Sequence, residues 1–373
     1  MTTSSPTRRL RVLHLAFEDH RRPGSGGGSA RNQAVNSRLA EQHDITVVTA
    51  GYAGARPRTE DGVRYEHLGV GSGYWTSLLS YFLLLPWTAW RRGRDYDLVI
   101  EEFAAPLSSM SVSRWTRRPT LAVVQWLNAR EKSRQYRMPF FLFESAGVRA
   151  HDRYVAVSQD LGDVLTARHP GADVTVVPNG VEPEALEARS PVGSDIVFLG
   201  RLEIAQKGLD LLLDAFASIA DRVEGDLLLA GDGPDLPELR RRVTRLGLDD
   251  RVRFLGRVDG QAKYELLASA RVVAMPSRYE TFGMVAVEAQ ACGAPVVAFD
   301  IPCLREVVPA DSGRLVAEST AAAFAAGLLS AYQDDDLRRT ADAEGRVFAR
   351  QFSWDRIAAD QEAAYLSTVA AAV

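Results

Sequence analysis

An α/β chain of two doubly wound parallel-sheet domains is what this sequence predicts, and three observations carry the prediction. The chain has 373 residues, against a usual domain size of roughly 100 to 200 residues. Short apolar runs alternate with segments of helical periodicity, the order of parallel strands joined by crossover helices. The alternation then restarts after a linker, EALEARSPVGS, so a second sheet follows the first. With 46% hydrophobic and 25% charged residues, and 6 Trp, 11 Tyr and 14 Phe as core material, the composition excludes disorder and fibrous structure.

The first half opens with RVLHLAF, a helix from about Ser29 to Glu41, and DITVVTA. Leu68 to Trp90 carries no Asp, Glu, Lys or Arg and includes YWTSLLSYFLLLPWTAW. Gly, Ser, Thr and Pro86 interrupt it, so it predicts a buried or surface-docking helix rather than the ~20 mainly apolar residues of a membrane span; peripheral membrane contact through its aromatics is the lesser alternative. DLVIEEF, TLAVVQWL, RYVAVS, the helix LGDVLTARHP and VTVVPNG complete this half. The second half runs DIVFLGR, GLDLLLDAFASIA, DLLLAGDG, a helix through ELRRRVTRLG, VRFLG, KYELLASA, RVVAMPS, MVAVEAQACG, PVVAFD and GRLVA. The expected domains are residues 1–187 and 188–350, with 351–373 a terminal amphipathic helix packing back on the body. Each half reads as Rossmann-like, and ligands in such sheets bind beyond the carboxyl ends of strands at a switch point. The site is therefore expected in a cleft between two facing halves.

The formal net charge of −4 provides no field for a phosphate backbone, so no nucleic-acid partner is expected and the partner is small. Cys292 and Cys303 are the only cysteines, too few for a disulfide framework or a zinc set, and a reducing cytoplasm is the expected compartment. MTTSSPTRR leads into an apolar run too short and strand-like for a signal peptide. Lys occurs only at 132, 207 and 263 among 44 Lys plus Arg, which singles out Lys207 in its loop as a place where a compact ammonium is wanted.

Three loops can carry chemistry. Gly24-Ser25-Gly26-Gly27-Gly28-Ser29 lies between the first strand and helix, where glycine amides can approach an anion. It fails as a dinucleotide fingerprint, because the third glycine position falls on Ser29 or Arg31, and no Walker lysine follows. Gly200 to Gly208 places Arg201 and Lys207 after a strand, where two cations can converge on a diphosphate. Pro276 to Ala289 places Phe282 and Gly283 at a helix start and sets Glu280 and Glu288 eight apart, able to act as acid and base or to hold hydroxyls.

GRL followed by KG, AGDGP at 230–234, VPNGV at 177–181, Glu280 with seven residues to Glu288, and CGAPVV resemble the retaining nucleotide-sugar glycosyltransferases of family 4, the glycosyl transferases group 1, which have the GT-B fold. The resemblance spans almost the whole chain. It implies sugar transfer from a nucleoside diphosphate sugar, a UDP-sugar first, to an acceptor hydroxyl with retention, without cofactor or metal. It implies that Arg201 and Lys207 hold the diphosphate, Phe282 and Gly283 offer it backbone amides, Glu288 binds the ribose and Glu280 touches the donor sugar. Gly231 and Gly233 would line the nucleotide pocket, and Gly27 and Gly28 would close on the donor from the N-terminal domain. In this family the leaving phosphate is favoured as acceptor of the proton in a front-face attack, so the protein's share is positioning and charge stabilisation.

The sequence departs from the family in three places. Gln125 and Trp126 stand where many members have a His, the Arg201 to Lys207 spacing is one residue longer, and Pro302 and Cys303 replace a glycine pair. On the acceptor side Gln125, Trp126, Lys132 and Arg134, with Glu131 and Tyr136, follow a strand's carboxyl end. The tryptophans at 75, 87, 90, 115 and 126 are expected chiefly in the core, and His151 at a surface or domain boundary. Asp95-Tyr96-Asp97 reads as the start of a strand and QDDDLRR as a solvated helix start. Two rival functions stay open: a nucleotide-sugar epimerase, which needs an acid–base pair around C2, and a non-catalytic nucleotide-sugar binder.

Overall fold

A computed structural model describes residues 8–372. The chain forms two compact units, one of residues up to Asn179 together with those from Trp354, the other Gly180–Ser353. The first crossing thus falls at 179/180 rather than 187/188, and the return at 353/354 rather than 350/351. The reason lies in the segment taken for a linker. Its helix Pro183–Glu187 buries Ala185 and packs against the helices Gly260–Ser269 and Met284–Ala291, while the Val181 amide donates to the Phe352 carbonyl at 2.7 Å.

The first unit holds β1 (Arg11–Leu15), β2 (Asp44–Ala50), β3 (Arg58–Glu60), β4 (Val63–Leu68), β5 (Leu98–Phe103), β6 (Thr120–Val124), β7 (Arg153–Ala156) and β8 (Asp173–Val176). Their order is β3-β4-β2-β1-β5-β6-β7-β8, parallel throughout except that β3 pairs antiparallel with β4. Strand order reverses between β1 and β5, the switch point of this sheet. Four helices position the site: α1 (Gly27–Leu39), α2 (Tyr74–Arg92), α3 (Ala129–Tyr136) and α4 (Phe140–Val148). One face of the sheet is covered by α1 and by the helix Trp354–Ala370, with Val35, Leu39, Ile357 and Tyr365 in a single core; the other is covered by α2 and α4 through Leu78, Phe82, Leu85 and Phe140. The helix expected at Ser29–Glu41 begins two residues earlier, because no capping side chain stops it and Gly26 is extended at its N-cap.

The second unit holds β9 (Ile196–Leu199), β10 (Leu227–Ala230), β11 (Val252–Gly256), β12 (Val272–Met275), β13 (Val296–Phe299) and β14 (Gly313–Val316), ordered β11-β10-β9-β12-β13-β14 and all parallel. Its switch point lies between β9 and β12. The inner strands β12 and β13 are buried on both faces, as a doubly wound sheet requires, while the edge strand β11 is partly exposed.

Three expectations need correction. Of the five tryptophans assigned chiefly to the core, Trp75, Trp87 and Trp90 are exposed because α2 is apolar all round and only one of its faces meets the sheet, and Trp115 is exposed at the end of the turn Val112–Arg114. His151 is fully buried, and its Nε2 lies 2.7 Å from Glu101 Oε2, a carboxylate that also accepts from the Met110 and Val112 amides. The pair anchors the 104–112 loop inside the first unit. Residues 351–373 do not form one helix: Arg350–Phe352 is a single turn of the second unit, and the returning helix starts at Trp354.

Candidate active site

The loops after β9 and β12 meet at the switch point of the second sheet. Lys207 ends the short helix Ile204–Lys207 and extends its Nζ to within 2.5 Å of Glu280 Oε1, which also accepts from Ser277 Oγ at 2.8 Å. Both partners are largely covered, so the pair is screened little by solvent. Arg278 buttresses the two loops from outside, with two hydrogen bonds to the Asp210 carboxylate and one to the Ile204 carbonyl. Arg201 stands apart, its side chain 67% exposed and 3.6 Å from Glu203.

Gly283 caps the helix Met284–Ala291 at φ +92°, a left-handed conformation in which a Cβ would also strike Leu304. Phe282 before it is buried against Phe352, so its backbone rather than its ring is what it can offer. Pro302 and Cys303 begin the short helix Pro302–Arg305, and the Cys303 thiol donates to the Glu280 carbonyl at 3.3 Å. They support the carboxylate loop from the next strand.

Glu288 lies one turn into the helix and is almost buried, its Oε1 2.7 Å from Lys263 Nζ. Burial depresses the Lys263 ammonium, but the Glu288 carboxylate outweighs it, and the net shift is upward. Lys263 was not singled out as a site residue in the sequence. The available signal was its rarity, since two of only three lysines pair with the two site carboxylates. Gly231 and Gly233 have a backbone reason to be glycine: a Cβ on Gly231 would come within 1.8 Å of the Gly200 carbonyl oxygen, and one on Gly233 within 2.3 Å of that of Leu202. They let the loop after β10 lie directly against the loop carrying Arg201.

In the first unit, Gly27 and Gly28 form the first turn of α1 beside the β1/β5 switch point. Gln125, at the carboxyl end of β6, donates from Nε2 to Glu102 Oε1 at 2.5 Å and to the Gly28 carbonyl at 3.3 Å. Glu102 is the penultimate residue of β5 and takes a second amide donor, Asn32 Nδ2, at 2.5 Å. Burial pushes the Glu102 carboxyl up to about 7; the Glu18 charge adds to this, while the Asn32 and Gln125 hydrogen bonds and Arg31 oppose it. Glu102 and Asn32 were missed in the sequence; the signal was a second acidic residue in the otherwise apolar strand DLVIEEF. Trp126 is half-buried against the α2 core, Lys132 is half-buried on α3, and Arg134 is exposed on the same helix. The two sites are thus each assembled within their own unit.

Comparisons with known proteins give the class to which this two-sheet architecture belongs, that of the glycosyltransferases. Residues 25–185 match the family described as Glycosyltransferase Family 4, and residues 193–334 match Glycosyl transferases group 1. The chain is 29% identical to a D-inositol 3-phosphate glycosyltransferase of Jonesia denitrificans over all of itself and 99% of that protein. It is 31% identical to a phosphatidyl-myo-inositol mannosyltransferase of Mycobacterium leprae over 72% of itself and 73% of that protein. Among solved structures, a sucrose-phosphate synthase of Thermosynechococcus elongatus superposes with a TM-score of 0.80 at 23% identity, covering 97% of this chain and all of that one. Anabaena HepE in complex with UDP-glucose superposes with a TM-score of 0.75 at 22% identity, covering 96% and 100%. The fold is GT-B. The chain belongs to the family 4 glycosyltransferases and transfers a sugar to an acceptor.

Proposed function

We propose that the chain is a retaining transferase that moves a sugar from a nucleoside diphosphate sugar, with UDP-sugars the first donors to test, to an acceptor hydroxyl. The observation that carries the reading is the pair of lysine-held carboxylates in the second unit, Lys207–Glu280 and Lys263–Glu288. A cation at the first pair and a carboxylate at the second are what a diphosphate and a ribose diol respectively need. The D-inositol 3-phosphate glycosyltransferase relative and the UDP-glucose complex of HepE support the same substrate classes.

In this reading Arg201 and Lys207 bind the diphosphate and stabilise charge that accumulates as the bond from the anomeric carbon to the phosphate oxygen breaks. The acceptor oxygen forms its bond on the same face, and its proton passes to the leaving phosphate oxygen. Glu280 positions the sugar, Glu288 the ribose, and the Gly283 and Phe282 amides face the phosphates. The chemistry is charge stabilisation by protein cations, with no cofactor and no metal, so a chelator leaves turnover unchanged. Gly27, Gly28 and Gln125 serve the substrates from the first unit, with Trp126, Lys132 and Arg134 on the acceptor side.

Thermal-shift titration with UDP, GDP, ADP, dTDP and NAD tests the reading, because a ligand at about 100 times its Kd stabilises by roughly 2.7 kcal/mol. Stabilisation by one nucleoside diphosphate, and an axial-to-axial or equatorial-to-equatorial outcome at the anomeric carbon by proton NMR of the product, are expected. Stabilisation by NAD alone, or an inverted product, refutes it.

A further inference from the structure

Helix α2 presents apolar side chains on two sides. Ser77, Leu78, Tyr81, Phe82, Leu85 and Ala89 face the sheet, while Trp75, Leu79, Leu83, Trp87 and Trp90 form a second, exposed stripe at i, i+4 and i+3 spacing. Leu83 is 75% exposed and Trp87 56%. The stripe runs for about 22 Å at 1.5 Å per residue, and no charged residue interrupts it. A continuous apolar strip of this kind on a folded domain marks an interaction surface.

The strip continues past the helix. The Trp75 ring meets Tyr136 edge-on at 5.3 Å, Tyr136 meets Phe140 at 6.1 Å, and the start of α4 exposes Phe141, Leu142 and Phe143. Its charged surround is predominantly basic, six exposed arginines against the exposed Asp95 and Glu131. Arg91 and Arg94 lie at one end of α2, and Arg130, Arg134, Arg137 and Arg149 surround α3 and α4, all exposed. Of the acids on α3 and α4, Glu131 is exposed, but Glu144 is buried and paired with Arg168.

We propose that the first unit docks on an anionic phospholipid bilayer through this surface, α2 lying in the interface plane with the tip of α4 beside it. Tryptophan and tyrosine belong at the boundary between headgroups and acyl chains, leucine and phenylalanine below it, and arginines reach anionic headgroups from the rim. No helix among the described residues is long and apolar enough to cross a membrane, so the contact is one of surface insertion. The Trp75–Tyr136 end of the strip follows the carboxyl ends of β4 and β6, and Arg22, in the loop after β1, lies over the Tyr74 ring at 5.6 Å. Docking therefore brings the Gly28–Gln125 corner to the bilayer, where an acceptor hydroxyl carried on a lipid is within reach; that last step rests on the transferase reading, whereas docking does not.

Sedimentation with vesicles tests docking without any sugar substrate, so its failure and that of the transferase reading are distinguishable. The full chain is expected to sediment with phosphatidylcholine vesicles containing one part in three phosphatidylglycerol, to bind pure phosphatidylcholine more weakly, and to lose binding as salt rises. Replacing both Leu83→Glu and Trp87→Glu is expected to reduce the bound fraction at least about tenfold, two large apolar side chains being removed from the interface. Brominated acyl chains are expected to quench tryptophan emission of the unaltered protein, a readout that needs no variant to fold. Absence of sedimentation and quenching, binding untouched by the double substitution in a variant with unchanged circular dichroism, or an unaltered protein that is a dimer split by that substitution would each overturn the proposal, the last by showing that a second copy covers the face.

Discussion

Lys207 and Glu280 form a contact whose loss can be read directly in kinetics. Lys207→Ala removes the cation nearest the proposed leaving group and leaves the Glu280 carboxylate without its ammonium partner. The expected effect is a loss of roughly 2 to 4 kcal/mol of transition-state stabilisation, about 30-fold to 1,000-fold in kcat/KM, measured in initial rates at subsaturating donor. Glu288→Gln acts differently, because a ribose contact exists before and during the reaction. Nucleoside diphosphate affinity by calorimetry should fall roughly tenfold with kcat at saturating donor nearly kept; a pure kcat loss would remove Glu288 from the ribose. Glu102 gives a pH signature. Its carboxyl is raised from 4.5 to about 7 by burial, so the folded state holds the proton more tightly than the unfolded one. The stabilisation is complete below the unfolded value of 4.5 and disappears as pH rises through about 7. Urea unfolding across that window should show stability falling with pH, and Glu102→Gln should flatten this part of the curve.

The alternation of strands and helices was legible along almost the whole chain, because period-two and period-3.6 patterns are local and the buried parallel strands are continuous apolar runs. The loops holding Arg201, Lys207, Glu280 and Gly283 were legible for the same reason, each falling between a recognisable strand and helix. What the pattern did not carry is which side chains pair. Gln125 meets Glu102 across two strands, and Lys263 meets Glu288 across two helices. Nor does an apolar helix announce whether its second face is covered, which is why the tryptophans of α2 were assigned to the interior. At this scale the turn after β10 makes a firm prediction. Gly231→Ala pushes a methyl into the Gly200 carbonyl and asks for φ +147° from a residue with a Cβ. A loss of about 2 kcal/mol or more in urea unfolding is expected, with nucleotide affinity falling as the Arg201 loop shifts.

Each unit closes its own core, and the first does so with residues that come after the second. Trp354, Ile357, Ala358, Tyr365 and Val369 fill the layer beside α1. Arg31 is buried there, its Nη2 donating to Gln361 Oε1 at 2.8 Å and to the Val177 carbonyl, while burial lowers its guanidinium to about 10. Tyr365→Ala should therefore cost the first unit roughly 3 to 5 kcal/mol, the range for a large aromatic cut from a core, while nucleotide binding assigned to the second unit survives. Differential scanning calorimetry with and without nucleoside diphosphate would resolve the two contributions.

The crossings at 179/180 and 353/354 also set an order on the ribosome. Synthesis proceeds at about 5 to 20 residues per second, so the sheet β1 to β8 emerges well before the helix that covers one of its faces. The 174 residues of Gly180–Ser353 must be translated in between. During that interval the later-made unit can mature while the earlier one waits with an uncovered apolar layer. The nascent first unit is thus the natural client for a chaperone, and slowing elongation within codons 180–353 should lengthen its dependence on one.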